Sequence, residues 1–266
     1  MQKLIVKGKR SLSGTVKISG SKNATLPILA ASILGDKKIE INNIPLVKDV
    51  ITMYQLLKHI GSNVKINYSD RKILIHNKNK KLKTIAPYIF VKTMRAGVIV
   101  LGSLLSKFGK AKVSLPGGCA IGTRPVDIHL FGLKKLGANI KIKDGYILAE
   151  AKKGLIGTKI RFPSISVGAT ENVIIAASFA KGTTYLKNCA CEPEIKNLTD
   201  FLKKMGVKIS WTKEREIKII GNKKLKRVSH NVMFDRIEAG TFIIAGALTS
   251  KSLRILGVDT NILKKE

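Results

Sequence analysis

GLKKLGANIKI, residues 132–142, carries the pattern that decides the fold: a helix end rich in leucine and lysine, a glycine, and a short strand. The pattern occurs twice more, as LLKHIGSNVKI (residues 56–66) and FLKKMGVKIS (residues 201–210). In each copy the glycine stands where helices commonly end in a left-handed conformation, and alternating apolar residues follow it. A chain that repeats one ending three times predicts three structural units of the same kind.

The three units also begin alike, with a small-residue apolar helix, a turn and a strand. These starts are KNATLPILAASILGDKKIEI from Lys22, TMRAGVIVLGSLLSKFGKAKVSL from Thr93, and GATENVIIAASFAKGTTYL from Gly168. A helix that is apolar on nearly every side is predicted to be buried, whereas the second helix of each unit has a charged outer face. Each unit is therefore predicted as β-α-β-α-β, with residues 7–18 and 64–75 supplying strand and turn patterns. Three such units would enclose a core that none could bury alone.

A fourth unit begins with RIEAGTFIIAGALTSKSLRIL, residues 236–256, and DTNILKKE, residues 259–266, starts what should be its second helix. The glycine and closing strand of the other units do not follow. We therefore expect the chain to be a fragment of a longer design. An independent C-terminal helical tail is the alternative.

Composition bounds the class of protein. A hydrophobic content of 44% in 266 residues is ample for a packed core, and no apolar stretch approaches the length of a membrane span. The formal net charge of +32 is typical of proteins that bind nucleic acid. However, the basic residues are mostly lysines spread along the chain, and aromatic residues, which commonly stack on bases, make up only 5%. Binding to specific nucleic acid is not expected, although a basic nucleic-acid-binding protein stays open as a minor alternative.

The cysteines and histidines suggest neither a disulfide framework nor a metal site. The three cysteines are an odd number, and Cys189 and Cys191 are separated by one residue. The histidines are scattered, at positions 59, 76, 129 and 230. With no secretory signal at the start, we expect a cytoplasmic protein without metal or cofactor.

Chemistry is concentrated in LPGGCAIGTRPVDIH, residues 115–129, which lacks the periodicity of a helix or strand. The glycine pair lets the backbone approach a ligand with amides free to hold an anion. Cys119 on such a loop, near Arg124, has the setting in which a thiol pKa falls and the thiol acts as nucleophile or proton donor. A turn with a buried, inert cysteine is the alternative.

Polar residues also open the buried helices. Lys22 follows Ser21 at the start of the first helix, Arg95 stands at the start of the second, and Ser166 to Thr170 at the start of the third. A helix N-terminus beside a cation is suited to bind an anion, although ordinary N-caps look similar. Because the pattern recurs with cations at two of the three sites, it favours a shared anionic ligand.

The segments SGSKNATLPILAASIL, KTMRAGVIVLG, LPGGCAIGTRPVDIHLFGLKKLGA, SVGATEN, EPEI and DRIEAGTF, in this order and spacing, resemble the UDP-N-acetylglucosamine enolpyruvyl transferases (1-carboxyvinyltransferases) of peptidoglycan synthesis. The resemblance covers the whole chain. It implies an α/β fold of two lobes, each an inside-out α/β barrel of three repeated units. Residues 22–233 would form the first lobe, and residues 1–21 and 234–266 part of the second.

The resemblance also implies a reaction: transfer of the enolpyruvyl group of phosphoenolpyruvate to the 3-hydroxyl of UDP-N-acetylglucosamine, with release of phosphate. Cys119 would protonate the methylene carbon and could form a covalent adduct. Phosphoenolpyruvate would be bound by Lys22, Asn23, Arg124 and Cys119. The sugar nucleotide would be bound by Asn23, Arg95, Arg124, Pro125, Val126, Asp127, Ile128, Ser164, Ser166, Val167 and Gly168.

The same resemblance limits what this chain is expected to do alone. The family's carboxylate that accepts the sugar hydroxyl proton, and further arginines for phosphoenolpyruvate, come from a part of the second lobe with no counterpart in these residues. A non-catalytic remnant that binds uridine nucleotides is therefore the main alternative. The related enolpyruvylshikimate-phosphate synthases are disfavoured, because that branch does not use a cysteine acid at this loop. The sequence does not indicate an oligomeric state.

Overall fold

The computed structural model describes residues 5, 7, 8, 11–78, 81–117 and 126–264, without the side chains of Arg95, Ser250 and Lys251. Its strands are β1 (Leu12–Lys17), β2 (Ile39–Asn42), β3 (Val64–Asn67), β4 (Lys72–Ile75), β5 (Ile85–Ala86), β6 (Lys110–Ser114), β7 (Asn139–Lys143), β8 (Tyr146–Glu150), β9 (Lys159–Arg161), β10 (Thr183–Lys187), β11 (Lys208–Lys213), β12 (Glu216–Ile220), β13 (Val228–Asn231) and β14 (Ser250–Leu256). Its helices are α1 (Lys22–Ala31), α2 (Lys48–His59), α3 (Tyr88–Val91), α4 (Val100–Phe108), α5 (Asp127–Lys135), α6 (Val167–Ser178), α7 (Pro193–Lys204), α8 (Arg236–Thr249) and α9 (Thr260–Leu263), with short 3-10 helices at Ser32–Leu34 and Arg95–Ile99.

Three four-stranded sheets share one topology, in the orders β13-β2-β4-β3, β5-β6-β8-β7 and β9-β10-β12-β11. In each sheet the first pair is parallel. The other two pairs are antiparallel. The threefold repeat predicted from the sequence is therefore confirmed, and the chain is a mixed α/β protein. Among the described strands the three sheets stay separate and close no barrel.

The first helices of the three units, α1, α4 and α6, pack against one another in the interior. Residues 24–31 of α1 and 169–178 of α6 are all buried. This confirms the prediction that helices apolar on nearly every side form the core, with the sheets outside them. The arrangement is that of an inside-out α/β unit, because the helices rather than the strands fill the centre.

The second helices, α2, α5 and α7, each end at the glycine of the repeated pattern. Gly61, Gly137 and Gly206 have φ values of +95°, +96° and +99°. A residue with a Cβ is strained in this region, so glycine is the residue that lets the chain leave the helix and enter the next strand. The pattern read from the sequence therefore corresponds to one backbone geometry used three times.

The structure corrects two details of the predicted unit. Residues 64–75 form the hairpin of β3 and β4, so each unit has one more strand than β-α-β-α-β. The strand within residues 7–18 is β1, which pairs in parallel with β14 rather than with the first unit. The sheet of the first unit is instead completed by β13, which pairs in parallel with β2. Residue alternation predicts a strand but not its partner, since partners far apart in sequence are not encoded locally.

The start of the fourth unit forms a smaller body. Helix α8 packs on β14 and β1. A second apolar cluster contains Ile18, Phe234 and Ala239 and is separate from the main core. None of the described helices is both long and apolar enough to cross a membrane.

Candidate functional site: a cavity at the helix N-termini

A cavity of about 610 Å³ lies where most helices begin. Its wall includes the first turns of α1, α2, α5, α6, α7 and α8, and the 3-10 helix Arg95–Ile99. Each helix N-terminus carries unpaired amide hydrogens and the positive end of a helix dipole. With so many converging on one space, the cavity is suited to anionic groups.

Lys22 and Asn23 line this cavity from the start of α1. The side chain of Ser21 caps the helix by accepting a hydrogen bond from the Ala24 amide at 3.2 Å. The Lys22 ammonium lies 3.2 Å from a carboxylate oxygen of Asp49 in the first turn of α2. Both side chains of this pair are partly exposed, so the pairing is weak and an anionic ligand can compete with Asp49 for the lysine.

The start of α6 faces the same cavity with Ser166, Val167 and Gly168. Ser166 is the N-cap, and its hydroxyl accepts from the Ala169 amide at 3.3 Å. No acceptor among the described residues takes the amide hydrogens of Val167 and Gly168. Within the part of the chain that the structure describes, these two donors at the cavity wall therefore have no hydrogen-bond acceptor.

His129 lies in the first turn of α5 and lines the cavity next to α6. Its Nδ1 atom is 3.1 Å from the side-chain nitrogen of Asn172, a buried residue of α6. A Cβ added to Gly168 would lie 3.2 Å from His129 Nε2. The absence of a side chain at Gly168 therefore makes room for the imidazole beside the start of α6.

One wall of the cavity is acidic, with Glu171, Glu192 and Glu194. Arg236 donates through Nε to both carboxylate oxygens of Glu194, at 3.0 and 3.2 Å. Burial raises the pKa of the Glu171 carboxyl well above its ordinary value, and the charges of Glu194 and Glu192 raise it further. This direction favours the neutral acid, which can donate a hydrogen bond to an anion instead of repelling it.

The structure brings together part of the predicted site. Lys22, Asn23, Val126, Ser166, Val167 and Gly168 all line the cavity. Asp127, Ile128 and Ser164 are described but do not line it, and Asp127 and Ser164 are exposed. Cys119, Arg124 and Pro125, with the side chain of Arg95, lie outside the described residues. Their predicted roles stay predictions.

Sequence reasoning assigned no role to several residues of the cavity wall, namely Asp49, His129, Glu171, Glu192, Glu194 and Arg236. A signal was available for Glu171, because a carboxylate within a helix that is otherwise apolar on all sides is costly unless it serves a site. No comparable signal marks Asp49, whose position at the second residue of α2 is ordinary for an acidic residue near a helix start.

Comparison with known proteins places the chain in a family. The profile described as EPSP synthase (3-phosphoshikimate 1-carboxyvinyltransferase) matches residues 6–266, and the chain belongs to this family. The UDP-N-acetylglucosamine 1-carboxyvinyltransferase of Pelagibacter ubique (strain HTCC1062) is 59% identical over 266 residues, which are 100% of this chain and 63% of that protein. The protein of the same name from Rickettsia akari (strain Hartford) is 50% identical over 265 residues, 99% of this chain and 63% of the relative. The chain thus spans less than two thirds of the length of these relatives.

Solved structures show the same fold. The enolpyruvyl transferase NikO from Streptomyces tendae superposes with a TM-score of 0.82 at 21% identity, covering 93% of this chain and 58% of that one. EPSP synthase from Acinetobacter baumannii gives a TM-score of 0.77 at 17% identity, covering 98% and 60%. At these identities the likeness concerns the fold alone, and it confirms the inside-out α/β architecture predicted from the sequence.

Proposed function

We propose that this chain takes part in enolpyruvyl transfer from phosphoenolpyruvate to the 3-hydroxyl of UDP-N-acetylglucosamine, with release of phosphate. The convergence of helix N-termini on one cavity is the observation that carries the proposal. Both substrates are anionic, and the cavity offers helix ends and Lys22 as partners for their charges. The names of the curated relatives point to the same reaction. The step would place the protein in the cytoplasm, at the first committed stage of peptidoglycan synthesis.

The chemistry requires a proton donor and stabilisation of developing charge. Protonation of the methylene carbon of phosphoenolpyruvate leaves a cationic centre at the adjacent carbon, which the sugar hydroxyl oxygen attacks as it loses its proton. Loss of phosphate and of a methyl proton then regenerates the double bond in the product. In this proposal Cys119 supplies the first proton, and Lys22 and Arg124 stabilise the phosphate and carboxylate as the charge develops.

The sugar nucleotide would lie along the wall between α5 and α6. The lining of the cavity supports this placement, because it includes Val126, Ser166, Val167 and Gly168. The amides of Val167 and Gly168 have no acceptor among the described residues. Asn23 would contact the nucleotide sugar from the start of α1. The proposal also keeps the sugar-nucleotide contacts that the resemblance implies for six further residues: Arg95, Arg124, Pro125, Asp127, Ile128 and Ser164.

Ligand-induced stabilisation tests binding directly. Residues 1–266 are expressed, and the melting temperature is followed against UDP-N-acetylglucosamine. A ligand at 100 times its dissociation constant should add about 2.7 kcal/mol to the free energy of unfolding. Asn23→Ala, at a position assigned to the sugar nucleotide, should reduce the shift, whereas Asn139→Ala, at an exposed position of β7 away from the cavity, should not. Absence of any shift in the unaltered chain would overturn the proposal.

Phosphate release with phosphoenolpyruvate tests turnover. We expect little or none from residues 1–266, because the resemblance places the hydroxyl's proton acceptor in a part of the family beyond them, and a general base is worth about 10²- to 10⁴-fold. Binding of uridine diphosphate without any effect of phosphoenolpyruvate on the melting temperature would favour a uridine-nucleotide binder. Turnover at the rate of a full-length relative would contradict the placement of the acceptor.

Alkylation tests the assignment of the acid. Burial raises the pKa of the Cys189 thiol to about 12, with the charge of Glu216 and the neighbouring Cys191 adding to the effect. Cys189 is therefore expected to react slowly, since the thiolate is the reactive form. A mild alkylating agent should modify Cys119 first, which gives a fast phase of alkylation. The Cys119→Ser variant should lack this fast phase. A fast phase that persists in Cys119→Ser would contradict the assignment.

A further inference from the structure

Glu171 places a carboxyl group within the otherwise apolar helix α6, at the wall of the cavity. The residue is only 4% exposed. Among the described residues its carboxyl group makes no hydrogen bond and no ion pair, and the interactions that act on it are burial and the charges of two other carboxylates. A buried carboxyl group without a partner is costly, so its presence at a cavity indicates a role in binding.

The surroundings of Glu171 keep the proton on its carboxyl group. Burial removes the water that would stabilise the ionised form. Glu194, in the first turn of α7, and Glu192, at the N-cap of that helix, add their negative charges. All three influences raise the pKa of the Glu171 carboxyl well above its ordinary value. A neutral carboxyl group has an O–H donor, whereas an ionised one can only accept hydrogen bonds.

The balance of charge at the cavity wall shows why this proton matters. Apart from Glu171, the charged and titratable residues that line the described wall are Lys22, Asp49, His129, Glu192, Glu194 and Arg236. Both cations, the lysine and the arginine, are paired with a carboxylate. The Oε2 atom of Glu192 is enclosed and has no hydrogen-bond partner within the described part of the chain. An ionised Glu171 would add a further negative charge to this wall and oppose the entry of an anion.

We propose that Glu171 is a ligand-binding residue of the cavity: it keeps its proton and donates the O–H to an anionic oxygen of the bound ligand. The ligand class, a phosphate or carboxylate, rests on the proposed function. The contact gives the buried carboxyl group the partner that it lacks within the described chain. The protonation state, by contrast, is a property of the protein alone and can be measured without a ligand.

Infrared spectra test the protonation state directly, because a protonated carboxyl group has a carbonyl stretching band that an ionised one lacks. Spectra are recorded without ligand at about pH 7, above the ordinary glutamate pKa of about 4.3. We expect a protonated-carboxyl band in the unaltered chain that is missing in Glu171→Gln. The matched control Glu150→Gln, at the exposed end of β8, should keep the band. A spectrum of the unaltered chain without this band would overturn the proposal.

Two variants separate the donor from the charge. Glu171→Gln keeps a hydrogen-bond donor that cannot ionise, and Glu171→Met keeps the length of the side chain without a donor. Calorimetry at neutral pH measures the affinities for UDP-N-acetylglucosamine, phosphoenolpyruvate and inorganic phosphate. Glu171→Gln should stay within about threefold of the unaltered chain, whereas Glu171→Met should lose roughly tenfold to a hundredfold. The ligand that shows this loss is the one whose oxygen Glu171 contacts, and Glu150→Gln should change none of the affinities.

The pH dependence of the affinity connects the contact to the proton. Affinities and infrared spectra are measured together from about pH 6 to pH 9, above the ordinary glutamate pKa. Where the protonated-carboxyl band declines, the affinity of the unaltered chain should fall relative to that of Glu171→Gln. A band that persists over the whole range predicts a constant ratio of the two affinities. Loss of the band at a constant ratio would contradict the proposal.

The outcomes separate this proposal from the proposed function. If the unaltered chain binds UDP-N-acetylglucosamine and Glu171→Met binds every anion equally well, this proposal fails and the proposed function stands. If inorganic phosphate binds in a way that depends on Glu171 but neither substrate binds, the proposed function fails and the contact with an anion stands. Absence of binding by all three anions would overturn both. If Glu171→Met does not fold, the infrared band and the pH series decide the proposal.

Discussion

Helices α6 and α8 have nearly the same apolar pattern and opposite surroundings. ENVIIAAS (residues 171–178) and GTFIIAGA (residues 240–247) align without a gap. Ile175 is fully buried, but its counterpart Ile244 is 63% exposed. Helix α6 packs against α4, α5 and α7, whereas α8 packs mainly on β14 and β1. The pattern therefore shows that a helix is suited to burial, and the surrounding elements decide whether burial occurs.

The largest expected effect concerns the ion pair that ties α8 to the three-unit body. Glu194→Ala removes the carboxylate that Arg236, the first residue of α8, contacts in a mostly buried position. Breaking a buried pair typically costs about 3–5 kcal/mol, because the guanidinium loses the carboxylate that it contacts through Nε. Asp200→Ala, which breaks the exposed pair with Lys203, is the control and should cost less than about 1 kcal/mol.

Urea unfolding followed by circular dichroism measures both variants. If Glu194→Ala costs no more than Asp200→Ala, then α8 does not depend on this ion pair for its place in the molecule. The contrast between the two regions would then rest on apolar contacts alone.

Matched truncations in α6 and α8 test the comparison position by position. Ile175→Ala should cost about 2–5 kcal/mol, because it removes buried apolar surface and leaves a cavity. Ile244→Ala should change the free energy of unfolding by less than about 0.5 kcal/mol, as surface substitutions usually do. The same unfolding experiment measures both. Equal losses would show that a partner covers α8 in solution.

The repeat could be predicted from sequence because it is local: each unit has the same glycine stop and the same apolar helix. Strand partners could not, since Leu12–Lys17 looks like a strand whether it pairs with β2 or with β14. The exposure of α8 could not be predicted either, because apolarity is a property of the helix and exposure depends on its neighbours.

The sequence predicted those residues of the candidate site that lie at the starts of buried helices. Lys22, Asn23 and Ser166 were found because they stand where buried helices open. Glu194 and Arg236 were missed because their pairing joins two units that are distant in sequence. His129 was missed as a site residue because nothing local links it to Asn172, whose amide contacts it across the α5–α6 interface.

Acid should destabilise the three-unit body more than the region around α8. Burial lowers the pKa of His230 in β13 to about 4, and the charge of Lys204 contributes. The unfolded state, with a histidine pKa of about 6.5, takes up the proton first, so this part of the stability is complete above about pH 6.5 and declines as the pH falls toward 4. The total loss is about 3 kcal/mol.

The difference between the unaltered chain and His230→Leu isolates this contribution from the carboxylates that also titrate in acid. The variant should show a shallower loss of unfolding free energy between about pH 6.5 and 4. Parallel pH profiles for the two proteins would show that the histidine does not titrate with folding.

Two helical glycines test the same comparison, and substitutions at them should have opposite signs. A Cβ on Gly102 of α4 would lie 2.4 Å from the backbone oxygen of Asn172 and 2.4 Å from its side-chain oxygen. Both atoms are buried, so Gly102→Ala forces α4 and α6 apart and should cost about 1–3 kcal/mol. A Cβ on Gly240 of α8 meets nothing within 4 Å.

Gly240→Ala should therefore stabilise the protein by about 0.5–1 kcal/mol, because alanine loses less backbone freedom than glycine when a helix forms. The gain in stability requires α8 to be helical and uncovered at Gly240, so this variant tests the exposure of α8. Gly102→Ala tests the close packing of α4 on α6. Melting temperatures of both variants, measured without ligand, give the signs directly. A loss of stability in Gly240→Ala would mean that another surface approaches α8 as closely as α6 approaches α4.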